Sequence, residues 1–306
     1  MNKAENSPHK IESLTEAHRA FGLPTPRHPL VSLIKGPHSQ LEGLRLPSYH
    51  VLGFYKIAYK PKLGGKLKYG QQYYDFDEGG LLFASPGQLI GNPDNDGSVC
   101  SAYTLLIHPD FFLGYPLART IKQYGFFSYS THETLHLSEE EKVTIIEIFT
   151  MIDHELSNRI DDSSQDVIIA QVELLLNYAN RYYKRQFITR KGVNSDLLQK
   201  LEEVVETYFT AELSLSQGLP TVHYLAQQVN LSPSYLSDML RSLIGQNAQQ
   251  YVHGKLIEKA KEILSTTNLS VSEVAYRLGF EHSQSFSKLF KIKTHLSPQA
   301  FRRLFN

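Results

Sequence analysis

The sequence contains a single cysteine, no long apolar run and no net charge, and each of these absences narrows the possible functions. Because Cys100 is the only cysteine, no internal disulfide can form, which is typical of proteins in a reducing compartment. No run of about eighteen apolar residues is present to span a bilayer. Residues 1–20 are polar and lack the apolar centre of a signal peptide. We therefore expect a cytoplasmic protein with no membrane partner.

The balanced total charge, with 31 Lys and Arg against 31 Asp and Glu, conceals a basic C-terminal end. Between Arg277 and Asn306 the only acidic residue is Glu281. The basic residues there are Arg277, Lys288, Lys291, Lys293, Arg302 and Arg303. A local basic segment on a neutral chain is typical of a nucleic-acid-binding module attached to another domain. Charge alone is equally compatible with an ordinary solvated surface.

The C-terminal sequence predicts two short helices separated by a glycine turn, over residues 271–293. The apolar positions of the first helix are Val271, Val274, Ala275 and Leu278, and those of the second are Phe286, Leu289 and Phe290. Gly279 ends the first helix, because glycine adopts a positive φ without a Cβ clash. This pattern is typical of a helix-turn-helix, whose second helix lies in a DNA major groove.

An earlier segment, residues 222–245, repeats this plan at an offset of about fifty residues, which indicates a repeated supersecondary unit. Leu225, Ala226 and Val229 correspond to Val274, Ala275 and Leu278, while Leu236 and Leu240 correspond to Phe286 and Phe290. Ser232 and Pro233 open the second helix with a preferred N-cap and a proline at the first helical position. Two such units in one chain are a far more specific signal than one.

Three C-terminal motifs resemble those of the AraC/XylS family of transcription regulators. They are Leu-Gly-Phe at 278–280, Phe-Ser-Lys-Leu-Phe-Lys at 286–291 and Ser-Pro-Gln-Ala-Phe-Arg at 297–302. The sequence departs from the family at Lys288, where Arg is usual, at His282, where an Asp cap is common, and at His295, where a Gly usually ends the helix. Histidine tolerates positive φ better than most residues, so we expect the turn at His295 to form. The resemblance covers about the last third of the chain and implies binding to double-stranded DNA and contact with RNA polymerase.

A helix over residues 247–266, roughly 25–30 Å long, would hold the two recognition helices about one DNA turn, ~34 Å, apart. The predicted DNA-facing residues lie opposite the apolar faces: Ser234, Ser237, Asp238 and Arg241 on the first helix, and Ser283, Gln284, Ser285, Lys288 and Lys291 on the second. Gln284 suits adenine, Lys288 guanine or a phosphate, and Lys291 a phosphate. Asp238 either accepts from cytosine N4 or pairs with Arg241 three residues on; the pair is favoured.

Residues 48–109 alternate short aromatic and β-branched runs with turn residues, a pattern typical of a small barrel or double-sheet roll. The resemblance implies a cupin-like sensor domain over residues 21–137, preceded by a flexible tail over residues 1–20. Aromatic side chains in such strands either line a pocket for a small effector or only form the core. The candidate ligand-binding residues are His50, Tyr55, Tyr73 and Phe83.

Two helices are predicted after the β-rich region. Ser138 and Glu141 form a capping box ahead of a helix whose apolar face carries Val143, Ile146, Ile152 and Leu156. The second helix, from about 165 to 185, carries an apolar seam that could pair with a second copy or pack on its own chain. The resemblance implies a dimerisation element over residues 138–189, with Ile168, Val172, Leu175 and Tyr182 at the contact. Residues 190–194 are expected to form a linker to a DNA-binding domain over residues 194–306, with its helix capped by Asn194 or Ser195.

The strongest indication of an enzyme is His-Glu-Thr-Leu-His at residues 132–136, a literal match to the zinc peptidase motif. That motif requires a helix, whereas Leu135 and Leu137 alternate with polar residues as in a strand. No His-x-His, the motif of metal-binding cupins, occurs in the chain. We therefore predict no catalytic residue, metal or cofactor, and keep a metal-dependent hydrolase as the alternative.

The sequence as a whole predicts an α+β protein of two domains. A cupin-like β-roll with a helical dimerisation element would precede an all-α double helix-turn-helix. The expected function is sequence-specific regulation of transcription by a homodimer that responds to a small-molecule effector. Activation and repression are equally compatible with the residues.

Overall fold

A computed structural model describes residues 9–20, 22–36, 49–61, 66–69, 72–75, 79–91, 101–130, 133–158, 161, 163–189 and 191–305. The chain divides into two compact units, Met1–Gln186 and Phe187–Asn306. The described part of the first unit contains strands and helices, and that of the second contains helices only. Within these ranges, no helix combines the length and the apolar character needed to cross a bilayer.

The N-terminal unit is built on a five-stranded antiparallel sheet and a three-stranded mixed sheet. The strands are β1 (His9–Ile11), β2 (Val31–Lys35), β3 (Tyr49–Leu52), β4 (Tyr55–Lys60), β5 (Lys66–Tyr69), β6 (Gln72–Asp75), β7 (Gly80–Ala84), β8 (Leu89–Gly91), β9 (Tyr103–Ile107) and β10 (Leu135–His136). The larger sheet has the order β10-β7-β4-β9-β2, the smaller has β1-β3-β8, and β5 and β6 pair as a hairpin. The β-rich N-terminal region predicted from the sequence is thus confirmed, and the cupin-like roll remains a prediction.

The central strand β4 organises the larger sheet because it pairs on both sides. Ile57 lies opposite Phe83 of β7 and Leu105 of β9, and it is fully buried. Because β4 is paired along both edges and most of its side chains are buried, its sequence is rich in aromatic and β-branched residues.

Residues 9–20, which the sequence places in a flexible tail, form a strand and a helix in the structure. Strand β1 pairs in parallel with β3, and helix α1 (Leu14–Ala20) follows it. The His18 ring contacts Ser32 Oγ of β2 at 2.8 Å. The side chains that join the core here are Ile11, Leu14, Ala17, Ile34, Leu52, Phe54 and Leu106. Three apolar residues spread over one short strand and two helical turns were too few to give a periodic signal.

The helices of the N-terminal unit include α2 (Leu117–Thr120), α3 (Glu139–Ser157) and α4 (Ser164–Thr189). The capping box of Ser138 and Glu141 is confirmed at the start of α3. The predicted apolar face of α3 is wrong in its first half, because Val143 is 57% exposed. The buried residues are instead Ile145, Ile148, Phe149, Ile152 and Leu156. Two overlapping apolar faces exist in this helix, and packing selects the one on which Phe149 stacks with Tyr103 of β9 at 5.2 Å.

The C-terminal unit consists of eight helices within the described residues. They are α5 (Lys191–Thr210), α6 (Leu213–Gln217), α7 (Val222–Gln228), α8 (Pro233–Ile244), α9 (Ala248–Thr266), α10 (Val271–Arg277), α11 (Ser283–Thr294) and α12 (Pro298–Arg302). Helix α5 begins at Lys191, so residues 191–194 are helical where the sequence suggested a linker. Gly192 is tolerated there because one glycine costs a helix only about 1 kcal/mol.

Candidate nucleic-acid interface

Two helix-turn-helix units, α7–α8 and α10–α11, are built on the same turn. In the first, Leu231 N donates to Ala226 O at 2.9 Å; in the second, Phe280 N donates to Ala275 O at 3.0 Å. The residue before each of these donors has a positive φ, 55° at Asn230 and 93° at Gly279. Asparagine is one of the few side chains that enters this region readily, which explains how the first unit forms without glycine.

The two units differ by one residue in the turn. The first helix starts at Val222 and at Val271, an offset of 49 residues. The second helix starts at Pro233 and at Ser283, an offset of 50 residues. The additional residue lies between Phe280 and the start of α11, so the repeat is not a rigid copy.

The second helix of each unit buries one face and exposes the other. Helix α8 buries Tyr235, Leu236, Met239 and Leu240, and α11 buries Phe286 and Phe290. Ser232 caps α8 through the Tyr235 N–H, whereas His282 makes no side-chain capping bond at α11. Both helices end in a left-handed residue, Gly245 and His295; the expected turn at His295 is confirmed by its φ of 62°.

Helix α9 connects the two helix-turn-helix units, and hydrogen bonds fix both of its ends. Its capping box joins Asn247 and Gln250. At the other end, the Arg302 guanidinium of α12 donates to Leu264 O at 3.3 Å and also to Leu269 O. Arg302 therefore ties the last turns of α9 to the segment that precedes α10. With 19 residues, α9 is about 28 Å long, within the predicted length.

Two ion pairs join helix α5 to the connecting helix α9. Lys255 of α9 pairs with Glu202 at 3.1 Å, and one turn further Lys259 pairs with Glu206 at 3.2 Å. Both lysines also pair with glutamates on α9 itself. Exposed pairs of this kind each contribute at most about 1 kcal/mol to stability.

The predicted DNA-facing residues of α11 lie on its accessible face. Gln284, Ser285, Lys288 and Lys291 are exposed, and Ser283 is half-buried. The helix has three lysines, Lys288, Lys291 and Lys293, and none of them forms an ion pair with a described residue. The helix therefore presents positive charge and one amide on a single surface, next to side chains that can donate or accept hydrogen bonds.

On the corresponding face of α8, more of the polar side chains are bonded to other residues of the protein. Asp238 pairs with Arg241, which confirms the favoured interpretation of this aspartate. Ser237 Oγ accepts from Ala248 N of α9 at 3.3 Å, so this hydroxyl takes part in packing α8 against the connecting helix. Ser234 is half-buried and Arg241 is exposed.

The predicted ligand-binding residues of the N-terminal unit are core residues where the structure describes their side chains. Tyr55 packs on Phe127, with ring centroids 5.1 Å apart, and Phe83 packs on Phe126 at 4.4 Å. His50 is buried on β3. Tyr73 lies on β6, and its side chain falls outside the described residues.

The predicted dimer residues are buried inside the N-terminal unit. Ile168, Val172, Leu175 and Tyr182 are all at most 7% exposed in the single chain. This is the alternative packing that the sequence left open, in which the seam of α4 packs against its own unit. The exposed large apolar residues of α3 and α4 are Val143, Met151, Val167, Leu174 and Ile188.

The zinc-peptidase-like segment is extended where it is described. Residues 135–136 form β10, which confirms the predicted strand, and His132 lies outside the described residues. Glu133 is buried and accepts from Ser130 N at 2.6 Å. The described part of the segment therefore lacks the helical geometry that the motif requires. A backbone N–H holds its carboxylate instead. Among the described residues no group of three or more His, Cys, Asp or Glu side chains could hold a metal ion.

The sequence did not predict the role of several residues that do not face the DNA but hold the helix-turn-helix units in place. Asn230 and Arg302 are two of these, and Ser214 of α6, which donates to Arg277 O at 2.7 Å, is a third. The Asn230 position could have been found from the repeat, because it aligns with Gly279 at an offset of 49 residues. The contacts of Ser214 and Arg302 join residues far apart in the sequence and have no local signal.

Comparison with known proteins identifies the C-terminal unit. A family described as a helix-turn-helix domain matches residues 225–304. An uncharacterised HTH-type transcriptional regulator of Staphylococcus aureus strain MSSA476 is 28% identical over 141 residues, 46% of this chain and 17% of that protein. The HTH-type transcriptional regulator YfiF of Bacillus subtilis, also uncharacterised, is 28% identical over 142 residues, 46% of this chain and 42% of that protein. The matched segment is thus less than half the length of these relatives.

Among solved structures, the C-terminal domain of the two-component response regulator yesN from Fusobacterium nucleatum is 33% identical. The match covers 33% of this chain and 96% of that chain, with a TM-score of 0.29. The matched family domain contains both turns described above, together with α8, α9 and α11. The C-terminal unit of this chain contains an AraC-type helix-turn-helix domain over residues 225–304.

Proposed function

We propose that the protein is a transcription regulator that binds specific sequences in double-stranded DNA through α8 and α11. The observation that carries the proposal is the pair of helix-turn-helix units, each with an accessible second helix, joined by a single braced helix. A connecting helix of about 28 Å suits recognition helices in successive major grooves of one DNA face. One chain would then recognise two half-elements of a site that need not be palindromic.

The two recognition helices have different roles in this proposal. Helix α11 carries Gln284, which pairs with adenine, and lysines that contact guanine or phosphate. On α8 the only basic residue, Arg241, is restrained by Asp238. A restrained arginine with a neighbouring carboxylate suits a phosphate contact better than a base contact. Helix α11 therefore supplies more of the sequence preference than α8.

Base and phosphate contacts are separable by experiment. Duplexes selected from a random library would be titrated with the full-length chain, at several salt concentrations, by fluorescence anisotropy. Lys291→Ala should weaken binding to all sequences alike and reduce the salt slope by about 0.9, the value for one phosphate. Gln284→Ala should instead flatten the preference at one base pair. Lys200→Ala, at an exposed position of α5, is the matched control and should change neither.

The proposal would be wrong if the full-length chain showed no preference for any duplex over random competitor at low salt. Equal losses on every sequence for Gln284→Ala would remove that residue from the base-reading set while leaving DNA binding intact.

Regulation of this activity by an effector, contact with RNA polymerase and dimerisation belong to the same proposal. The names of the relatives, which are transcriptional regulators, support a regulatory role. Because the predicted seam is buried, we place the homodimer contact on the exposed apolar residues of α3 and α4. Sedimentation of wild-type protein and of Leu174→Lys tests this: the variant should shift a dimer toward monomer. Thr120→Lys, at an exposed position of α2, is the control.

A further inference from the structure

A cavity of about 210 Å³ lies within the N-terminal unit, away from the sheet aromatics that the sequence indicated. Its walls come from the segment before β2, the 3-10 helix at Pro109–Phe112, the end of α3 and the start of α4. Drug-sized ligands occupy cavities of roughly 300–1,000 Å³, so this one suits a smaller molecule.

One wall of the cavity is aromatic. Phe111 is 1% exposed and meets the His28 ring edge-on, with centroids 5.4 Å apart. His28 Nδ1 accepts from Leu30 N at 3.1 Å, and burial lowers the pKa of the ring, so it is neutral at physiological pH. Leu156 and Ile168 complete the apolar surface. This wall carries no positive charge and contains an aromatic ring, the kind of group that attracts a cation.

The opposite side is rich in hydrogen-bond acceptors. Glu155 is half-buried at the end of α3, and Asp161 lies at the exposed edge. The Gln165 amide nitrogen donates to Phe111 O at 2.8 Å, which leaves its carbonyl oxygen as an acceptor. No lysine or arginine is among the described residues that line the cavity.

We propose that this cavity binds a small organic cation, a primary or quaternary ammonium compound, between the Phe111 ring and the carboxylates of Glu155 and Asp161. An anion is disfavoured because both ionised side chains of the wall are negative. A neutral apolar ligand would desolvate Glu155 without compensating it. The start of α4 adds little positive potential, because Asp161 Oδ1 accepts from Ser163 N at 2.9 Å.

This inference goes beyond DNA binding and does not depend on it. The ligand would bind the N-terminal unit whether or not it changes DNA affinity. Binding is therefore measured without DNA, so its failure leaves the proposed function of α8 and α11 untouched.

The test is calorimetric titration of the full-length chain with choline, with butylammonium and with the neutral isostere of choline in which carbon replaces nitrogen. The charged site predicts that at least one cation binds about tenfold or more tightly than the isostere, a difference of about 1.4 kcal/mol. Glu155→Gln should remove most of that preference. Glu147→Gln, at an exposed position of the same helix, should leave it unchanged.

A second measurement does not depend on how well a variant folds. Nuclear Overhauser contacts from the bound cation should reach the Phe111 ring in the wild-type protein. The proposal is overturned if neither cation shows saturable binding up to about 10 mM, if the isostere binds as tightly as both, or if the contacts map elsewhere.

Discussion

Replacing Gly279 with alanine should destabilise the C-terminal unit far more than the same replacement at Gly245. Both glycines end or follow a helix of a helix-turn-helix unit, and both have a positive φ, 93° and 72°. They differ in their surroundings. A Cβ at Gly279 would lie 2.4 Å from the backbone carbon and oxygen of Gly218, whereas a Cβ at Gly245 meets nothing within 4 Å.

The magnitude of the difference follows from two separate costs. An alanine with positive φ costs about 1–2 kcal/mol, and both variants incur this cost. Only Gly279→Ala also forces a side chain against backbone, for which overpacking costs of about 1–3 kcal/mol, occasionally more, are typical. We therefore expect about 1 kcal/mol for Gly245→Ala and about 4 kcal/mol for Gly279→Ala. The second value is a large part of the roughly 5–15 kcal/mol that stabilises a whole domain.

Hydrogen exchange of the full-length chain, followed by mass spectrometry, measures this in the C-terminal unit alone. Peptides covering α9 and α10 should exchange roughly a thousandfold faster in Gly279→Ala and up to about tenfold faster in Gly245→Ala. Equal acceleration in the two variants would refute the reasoning, because it would mean that backbone conformation alone, and no clash with Gly218, sets the cost.

Three further substitutions have expected outcomes. Arg302→Lys should lower the stability of the C-terminal unit by about 1–3 kcal/mol, since one lysine amine cannot donate to the carbonyls of both Leu264 and Leu269; hydrogen exchange of α9 and α10 measures this loss. Burial, with a smaller effect of Lys60, lowers the pKa of Lys56 to about 8. The unfolded chain then binds more protons between about pH 8 and 10.5, so stability rises with pH in that window, and Lys56→Met should abolish the rise in urea midpoint. Tyr251→Phe removes a buried hydroxyl that has no hydrogen-bond partner in the described structure and should stabilise the unit by about 1 kcal/mol in a urea titration.

Local signals in the sequence were sufficient to predict the helix-turn-helix pair. Caps such as Ser232, the glycine turn at Gly279 and apolar residues at helical spacing all act over a few residues, and the structure contains them. The i, i+3 pair of Asp238 with Arg241 is local in the same sense. Each of these features depends on neighbours along the chain, so composition and spacing reveal it.

Features that depend on long-range packing were not predictable. Helix α3 could bury either of two apolar faces, and contact with the sheet decided between them. The seam of α4 suited both a dimer contact, which the resemblance favoured, and internal packing, and the burial of Val172 and Leu175 within one chain favours the second. The cavity near His28 joins three parts of the chain that are distant in sequence, namely His28, Phe111 and the adjoining ends of α3 and α4, so no motif indicated it.

The single residue by which the two turns differ governs how the recognition surfaces can be exchanged in engineering. To transfer side chains from α8 to α11, the two helices must be aligned at their first residues, so that Pro233 corresponds to Ser283. An alignment of the turns, in which Asn230 corresponds to Gly279, gives a different register. A graft aligned on the turn would rotate every transferred side chain by about 100° around the helix axis. Two of the four predicted contact residues of α8, Ser237 and Arg241, would then fall on the buried positions of Phe286 and Phe290.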